Sequence, residues 1–332
     1  MKDTFNILGC AGGGLYGLCE IMAIEQLEAA GQPVMARFDA LGGTSAGAIN
    51  TVPLAIGKPA AVVRTFYTEW APRIFKPRPF DLEADLKFAP KYDNEQLAEA
   101  LQTILMIDDE GGPRQATLRD CRTNWLGTSL DAGTKLPILF CSWMRSQTTR
   151  FGEIVGYDSP MELWEMVIQS ASAPTYFPGF ETVARAGRVA VPAGGSPLLP
   201  GAVTRVAVDG GLTGANAVDS IMIHATRELA NGSRVRMLSL GSGNTPVQTS
   251  GREMLNPSDF TVAKFVLGNL LGPGMKMAEL GALLALGHDY FHLEPTFPVA
   301  KSMDDLSLLQ DIPPVMEALL AKNQATLAEF AA

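Results

Sequence analysis

The stretch Leu41-Gly42-Gly43-Thr44-Ser45-Ala46-Gly47-Ala48 sets a serine in a G-x-S-x-G pattern, Gly43, Ser45 and Gly47, between a short apolar strand and an apolar helix. A tight strand-to-helix turn at that point drives the serine into an exposed, strained conformation, and the flanking glycines remove side chains that would collide. Ser45 is therefore the candidate nucleophile. Its hydroxyl would lie at a helix N-terminus, where unpaired N–H groups and the dipole favour developing negative charge. A plain helix cap among small neighbours is the competing account.

Gly12-Gly13-Gly14-Leu15-Tyr16-Gly17 follows a first strand, Phe5-Asn6-Ile7-Leu8, and opens a helix whose Leu18, Ile21, Met22, Ile24 and Leu27 fill one broad face. Its amides can converge on the crevice beyond the strand ends, a nest suited to a phosphate or an oxyanion. Read as a dinucleotide loop, it would recruit Asp39 as the ribose-binding acid. That reading needs a second strand ending in a free carboxylate, whereas here the strand runs on into Gly42-Gly43-Thr44-Ser45. A serine aimed at a glycine nest is the geometry of acyl transfer.

A nucleophilic serine needs a base. None of His224, His288 and His292 has a flanking pattern that would hold it in that role, and each reads as structural. Asp209, in Arg205-Val206-Ala207-Val208-Asp209-Gly210-Gly211, ends an apolar strand, and Gly210 and Gly211 let another backbone approach. Partial desolvation there raises the carboxylate's proton affinity and makes it a better base. Without Ser45, the same Asp-Gly-Gly would read as a turn.

The elements around these groups alternate between strand-like and helix-like, which signals an α/β layer fold with a largely parallel sheet. Strands are expected at Ile138 to Trp143, Arg205 to Val208 and Arg234 to Leu240. A helix bearing Ile221, Met222, Ala225 and Leu229 stops at Asn231-Gly232. Helix starts are expected at Asp93-Asn94-Glu95-Gln96 and, with serine cap, proline and glutamate in order, at Ser159-Pro160-Met161-Glu162. Residues 72–90 and 185–201, rich in Pro, Gly and basic residues, read as loops able to cover a site. With no repeat and no linker, the 332 residues read as one domain.

Composition narrows the partners. A formal charge of -9, from 26 Lys plus Arg against 35 Asp plus Glu, argues against nucleic acid and gives no strong pull toward anionic lipid. Cys10, Cys19, Cys121 and Cys141 form no C-x-x-C pair and read as free thiols of a reducing compartment. No signal peptide is evident, and the apolar region Phe260 to Gly287 is too interrupted to span a bilayer. A cytoplasmic protein with transient, peripheral access to membrane lipid is expected. Self-association is left open.

In chain order, the three sites resemble the patatin-like phospholipases, lipid acyl hydrolases that work through a Ser-Asp dyad, and the likeness extends over nearly the whole chain. The resemblance implies a three-layer αβα sandwich with a largely parallel central sheet. It also implies an oxyanion loop at Gly12, Gly13 and Gly14, supported by Gly17, a dyad of Ser45 and Asp209, a phospholipid or other acyl-ester substrate, and no cofactor or metal. Ala171 to Pro178 and Leu238 to Gly243 resemble supporting family segments. Family members often carry Asp before the glycine run and Arg within it, where this chain has Ala11 and Tyr16. Some members are latent until a nucleotide or protein signal opens them, although nothing in these residues reads as a sensor. Two rival readings are a Ser-Asp-His triad completed by His288 or His292, and a phosphate- or nucleotide-binding module built on Gly12 to Gly17.

Overall fold

Successive side chains of a strand point to opposite faces of its sheet. In the computed structural model, which describes residues 2–29, 31–76, 90–184, 203–213, 217–244 and 273–331, that alternation builds three layers. The strands are β1 (Thr4–Cys10), β2 (Ala40–Gly43), a separate hairpin of β3 (Met106–Asp109) and β4 (Gly112–Gln115), β5 (Asn124–Asp131), β6 (Pro137–Cys141), β7 (Gln147–Thr149), β8 (Gly152–Gly156), β9 (Phe180–Ala184), β10 (Val203–Asp209), β11 (Arg234–Leu240) and β12 (Tyr290–Leu293). The helices are α1 (Leu18–Glu28), α2 (Val34–Arg37), α3 (Ala46–Ala55), α4 (Ala60–Thr65), α5 (Ala71–Ile74), α6 (Glu95–Ile104), α7 (Leu163–Ala171), α8 (Ala217–Ala225), α9 (Arg227–Ala230), α10 (Pro273–Leu286), α11 (Leu308–Lys322) and α12 (Gln324–Ala331).

The main sheet runs β12-β11-β1-β2-β5-β6-β8-β7, with β10 also on β5 and β9 on β10. From β12 to β5 every pairing is parallel. Phe5, Ile7, Ala40, Leu126 and Met237 face one side, where they pack with Val218 and Met222 of α8. Leu8, Cys10, Leu41, Trp125, Leu238 and Leu240 face the other, against α1, α3, α7 and α11. Helices therefore cover both faces of a largely parallel sheet, as expected for the αβα sandwich. The larger cluster of buried side chains runs from Leu8 to Phe330.

Several local expectations shift. The helix expected from Ser159 begins at Leu163, because Glu162 caps it: its carboxylate takes the Glu165 N–H while the Glu165 side chain reaches back to the Glu162 N–H. Thr226 divides the 217–230 helical stretch into α8 and α9, its hydroxyl donating to the Met222 carbonyl at 2.6 Å. The chain then turns at Asn231 (φ 43°) and Gly232 (φ 86°), as the Asn-Gly pair implied. Pro72, placed at the start of a loop, lies in α5, which continues α4 through a π-helical turn at Phe66–Trp70, so the helical run extends through Ile74. Residues 77–89 and 185–201 of the expected loops, and 260–272 of the apolar region, lie outside the described residues. The four cysteines are free, three of them buried. Among the described residues, no helix is long and apolar enough to cross a membrane.

Candidate active site

Two strands end head-on beside β5. Parallel β2 pairs with its first half, Gly43 opposite Gly127, and antiparallel β10 pairs with its second half, Asp209 opposite Ser129. Because the two strands run toward each other, their C-terminal ends converge on Thr128. Thr44 is hydrogen-bonded to the Thr128 hydroxyl at 2.7 Å, and a Cβ on Gly210 would run into the Thr128 carbonyl. This topology brings Ser45 and Asp209 together from distant parts of the sequence.

Ser45 holds φ 55° and ψ −121°, a region that a residue with a Cβ rarely occupies and that costs on the order of 1–3 kcal/mol. The turn holds it there. Gly47 N–H donates to the Thr44 carbonyl at 2.8 Å, and Ser45 N–H to Ser170 Oγ at 2.9 Å. A Cβ on Gly43 would collide with the Gly47 backbone, and one on Gly47 with the Cys10 carbonyl, so both flanking glycines are dictated by close backbone approach. Ser45 itself is half-buried at the start of α3.

Asp209 is 3% exposed. Burial pushes its carboxyl up to about 6, against the Gly211 N–H, which donates to Oδ1 at 2.7 Å, and the nearby Ser45 hydroxyl. Among the described residues, Asp209 Oδ2 makes no aligned hydrogen bond. A buried carboxylate with a free oxygen beside a serine hydroxyl is placed to accept its proton.

The glycine run lies over Ser45. A Cβ on Gly12 would stand 3.0 Å from the Ser45 Cβ, and Gly14 takes φ 57°. Gly12 and Gly13 give their N–H groups to no acceptor among the described residues, while the Gly12 carbonyl is turned away to receive the Ser242 hydroxyl at 2.7 Å. Beneath the run, Asn50 donates to the Gly17 carbonyl at 2.9 Å and to Glu20 at 2.7 Å, and Tyr67 donates to Asn50 at 2.7 Å. Burial pushes the Glu20 carboxyl well above the usual range. This network fixes the loop from below.

A narrow apolar cleft starts at Ser45 and is walled by Ile49, Phe66, Ile74, Phe75, Leu97, Phe177 and Met303. A patatin-like phospholipase family model matches residues 8–222, which include the glycine run, the serine turn and Asp209. The chain belongs to the patatin-like phospholipase family. A cGAMP-activated phospholipase of Pseudomonas aeruginosa is 26% identical over 177 residues, 53% of this chain and 49% of that protein. One of Vibrio cholerae is 28% identical over 192 residues, covering 53% and 50%. The chain thus spans about half the length of the curated relatives it matches. VipD from Legionella pneumophila overlays 96% of this chain and 67% of its own at 12% identity, with a TM-score of 0.41.

In this patatin-like chain the histidines lie elsewhere. His224 and His288 are exposed, and His292 is hydrogen-bonded through Nδ1 to Ser239 at 3.0 Å. Asp39 is engaged by Lys2 and by the Asn6 N–H, both at 2.8 Å, at the opposite end of β2 from the glycine run. Neither the histidine triad nor a ribose contact from Asp39 fits those placements. Among the described residues, Glu279, His292 and Glu294 offer ligand atoms within 4.8 Å of one another, but the Lys276 ammonium already bridges the two carboxylates at 3.0 and 2.7 Å. The sequence motifs named the serine, the aspartate and the glycines. They did not point to Thr128, Ser170 or Met303, which have no motif of their own; Ser242 lay inside a quoted family segment without a role.

Proposed function

We propose that the chain is a lipid acyl hydrolase of the serine carboxylic-ester class, a single patatin-like domain working through Ser45 and Asp209. The observation that carries this reading is the meeting of a strained serine with a buried carboxylate under the Gly12 to Gly14 loop, at the head of an apolar cleft. Ser45 Oγ attacks the acyl carbonyl as Asp209 takes its proton, and the loop amides receive the oxyanion; one such donor is typically worth about 10²–10³ in rate. The alcohol or lyso product leaves with the proton. Water, deprotonated by the same carboxylate, then releases the fatty acid from the acyl-serine.

The apolar cleft suits an acyl chain, so the substrate is a phospholipid or another acyl-ester lipid, met by transient contact with a membrane surface in the cytoplasm. The names of the curated relatives support a second element, gating by a cyclic dinucleotide. The deciding experiment incubates wild type, Ser45→Ala and Asp209→Asn with mixed phospholipid vesicles, with and without cGAMP, and identifies products by mass. Fatty acid released by wild type alone is expected. Release by folded Ser45→Ala would overturn the assignment, and equal rates with and without cGAMP would remove the gating.

A further inference from the structure

The last turn of α7 touches both halves of the site. Ser170 and Ser172 are fully buried, each 0% exposed. The Ser170 hydroxyl oxygen accepts the Ser45 N–H at 2.9 Å, and the Ser172 carbonyl accepts the Asp209 N–H at 3.0 Å. The Ser129 hydroxyl, on the residue opposite Asp209 in β5, lies between the Gln169 carbonyl at 3.1 Å and the Val208 carbonyl at 2.8 Å, which ties the same turn to the end of β10. The turn is itself held. Ser172 donates to the Ile168 carbonyl at 2.7 Å, and Leu163, Met166, Val167 and Ile168 bury α7 in the core.

Ser45 precedes the first residue of α3, so its N–H has no partner within that helix. A donor left without an acceptor in the interior is costly enough to turn the backbone elsewhere. Ser170 supplies the acceptor from a packed helix rather than from the strained turn itself. Since the end of the same helix also carries the Asp209 backbone, Ser45 is fixed relative to the carboxylate. We infer that Ser170 is the positioning residue that holds Ser45 Oγ within reach of Asp209. The inference rests on the acyl-hydrolase reading above and deepens it by naming the group that sets the geometry of attack. Ser170 is sealed from the cleft and acts only through the Ser45 backbone.

The test compares Ser170→Ala and Ser170→Cys with wild type and with Ser239→Ala, which removes a buried serine elsewhere in the sheet. Alanine removes the acceptor, and cysteine fills the site while offering only a weak one. Two rates are measured at a temperature where circular dichroism shows every variant folded: steady-state hydrolysis of p-nitrophenyl butyrate, and labelling of Ser45 by a fluorophosphonate probe. A displacement of about 1 Å costs on the order of 10²-fold, so kcat should fall about 10- to 100-fold in Ser170→Ala and in the same direction in Ser170→Cys. Because Ser45 Oγ takes part in both formation and breakdown of the acyl-enzyme, KM should stay within about threefold. Labelling should slow by the same factor as kcat, while Ser239→Ala keeps both rates within about threefold of wild type. Unchanged rates in both Ser170 variants, or a loss confined to KM, would overturn the inference. So would an equal loss in Ser239→Ala, which would trace the effect to stability alone. Failure of the acyl-hydrolase reading looks different: wild-type hydrolysis that Ser45→Ala leaves intact.

Discussion

Ser45 beside Asp209 and Ser239 beside Asp219 are two versions of the same pair, a serine facing a buried aspartate whose carboxyl burial has raised to about 6. By side-chain chemistry the second pair is the better equipped. Ser239 donates to Asp219 at 2.6 Å, Tyr290 donates to the same oxygen at 3.0 Å, and His292 completes a Ser-His-Asp set. Yet Ser239 is 1% exposed, in a strand paired on both sides, opposite Gly9 of β1 and His292 of β12. Ser45 has fewer polar partners, but it stands at a strand end with positive φ, unpaired glycine amides above it and a cleft before it. Backbone geometry and access, more than residue type, separate the serine proposed as nucleophile from the one buried in the sheet.

Removing each serine tests that contrast most sharply. Ser45→Ala is expected to lower kcat/KM for ester hydrolysis by at least about 10³-fold, with melting temperature little changed, because alanine keeps the Cβ and with it the strain at φ 55°. Ser239→Ala should leave kcat/KM within about threefold and cost about 1–2 kcal/mol of stability, because it strips a hydrogen bond from a buried carboxylate. Denaturant titration beside steady-state kinetics reads both. The reverse pattern would assign the chemistry to the wrong serine.

A smaller effect is expected at the loop. Gly12→Ala places a methyl group 3.0 Å from the Ser45 Cβ, crowding the space the oxyanion would enter. A fall in kcat of about 10²-fold is expected, with KM little changed, since donors of this kind act in the transition state. A comparable loss seen only in KM would mean that the loop binds substrate without stabilising the oxyanion.

Much of this site is legible in the residues, and what is not has a physical reason. Gly43 and Gly47 are readable because close backbone contact forbids any side chain there, so local geometry writes itself into residue type. The antiparallel run of β10 toward β2 leaves no such trace: strand direction within a sheet depends on pairing partners far away in the chain. Met303 is equally silent, since a methionine in an irregular segment carries no periodicity. Tyr16 was visible as a departure from the family pattern, but its partner, the Lys301 backbone, could not be named from the residue alone. The helix start at Leu163 was misplaced because two competing caps, Ser159 and Glu162, stand three positions apart and the Glu162–Glu165 exchange prevails.

The Asp209 carboxyl links rate and stability. As the proposed base it must be ionised, so kcat/KM should fall about tenfold per pH unit below about 6 and level off above it. Its folded-state pKa of about 6 lies above the usual 3.8, so the protonated form favours the fold; that stability is full below pH 3.8 and lost as pH rises through 6. Asp209→Asn should therefore be inert yet more stable than wild type by about 2–3 kcal/mol at pH 7, with the difference vanishing near pH 4.

His292 supplies the smallest and most discriminating effect. Burial opposes its protonation, but the carboxylates of Glu294 and Glu279, 3.6 and 3.7 Å from Nε2, and the charge of Asp219 outweigh that, and its pKa is raised. A histidine raised in the folded state adds stability that is complete below pH 6.5 and disappears as pH climbs through the folded value. His292→Gln should then cost a few tenths to about 1 kcal/mol at pH 6 and progressively less toward pH 9, read by denaturant midpoints across that range. Its kcat/KM profile should keep the same acid limb near pH 6, since that limb is assigned to Asp209, beside β5 in the middle of the sheet, whereas His292 lies on the edge strand β12. A displaced limb would couple the two clusters and revive a histidine in the chemistry; an unchanged limb with altered stability would confine His292 to holding β11, β12 and α10 together.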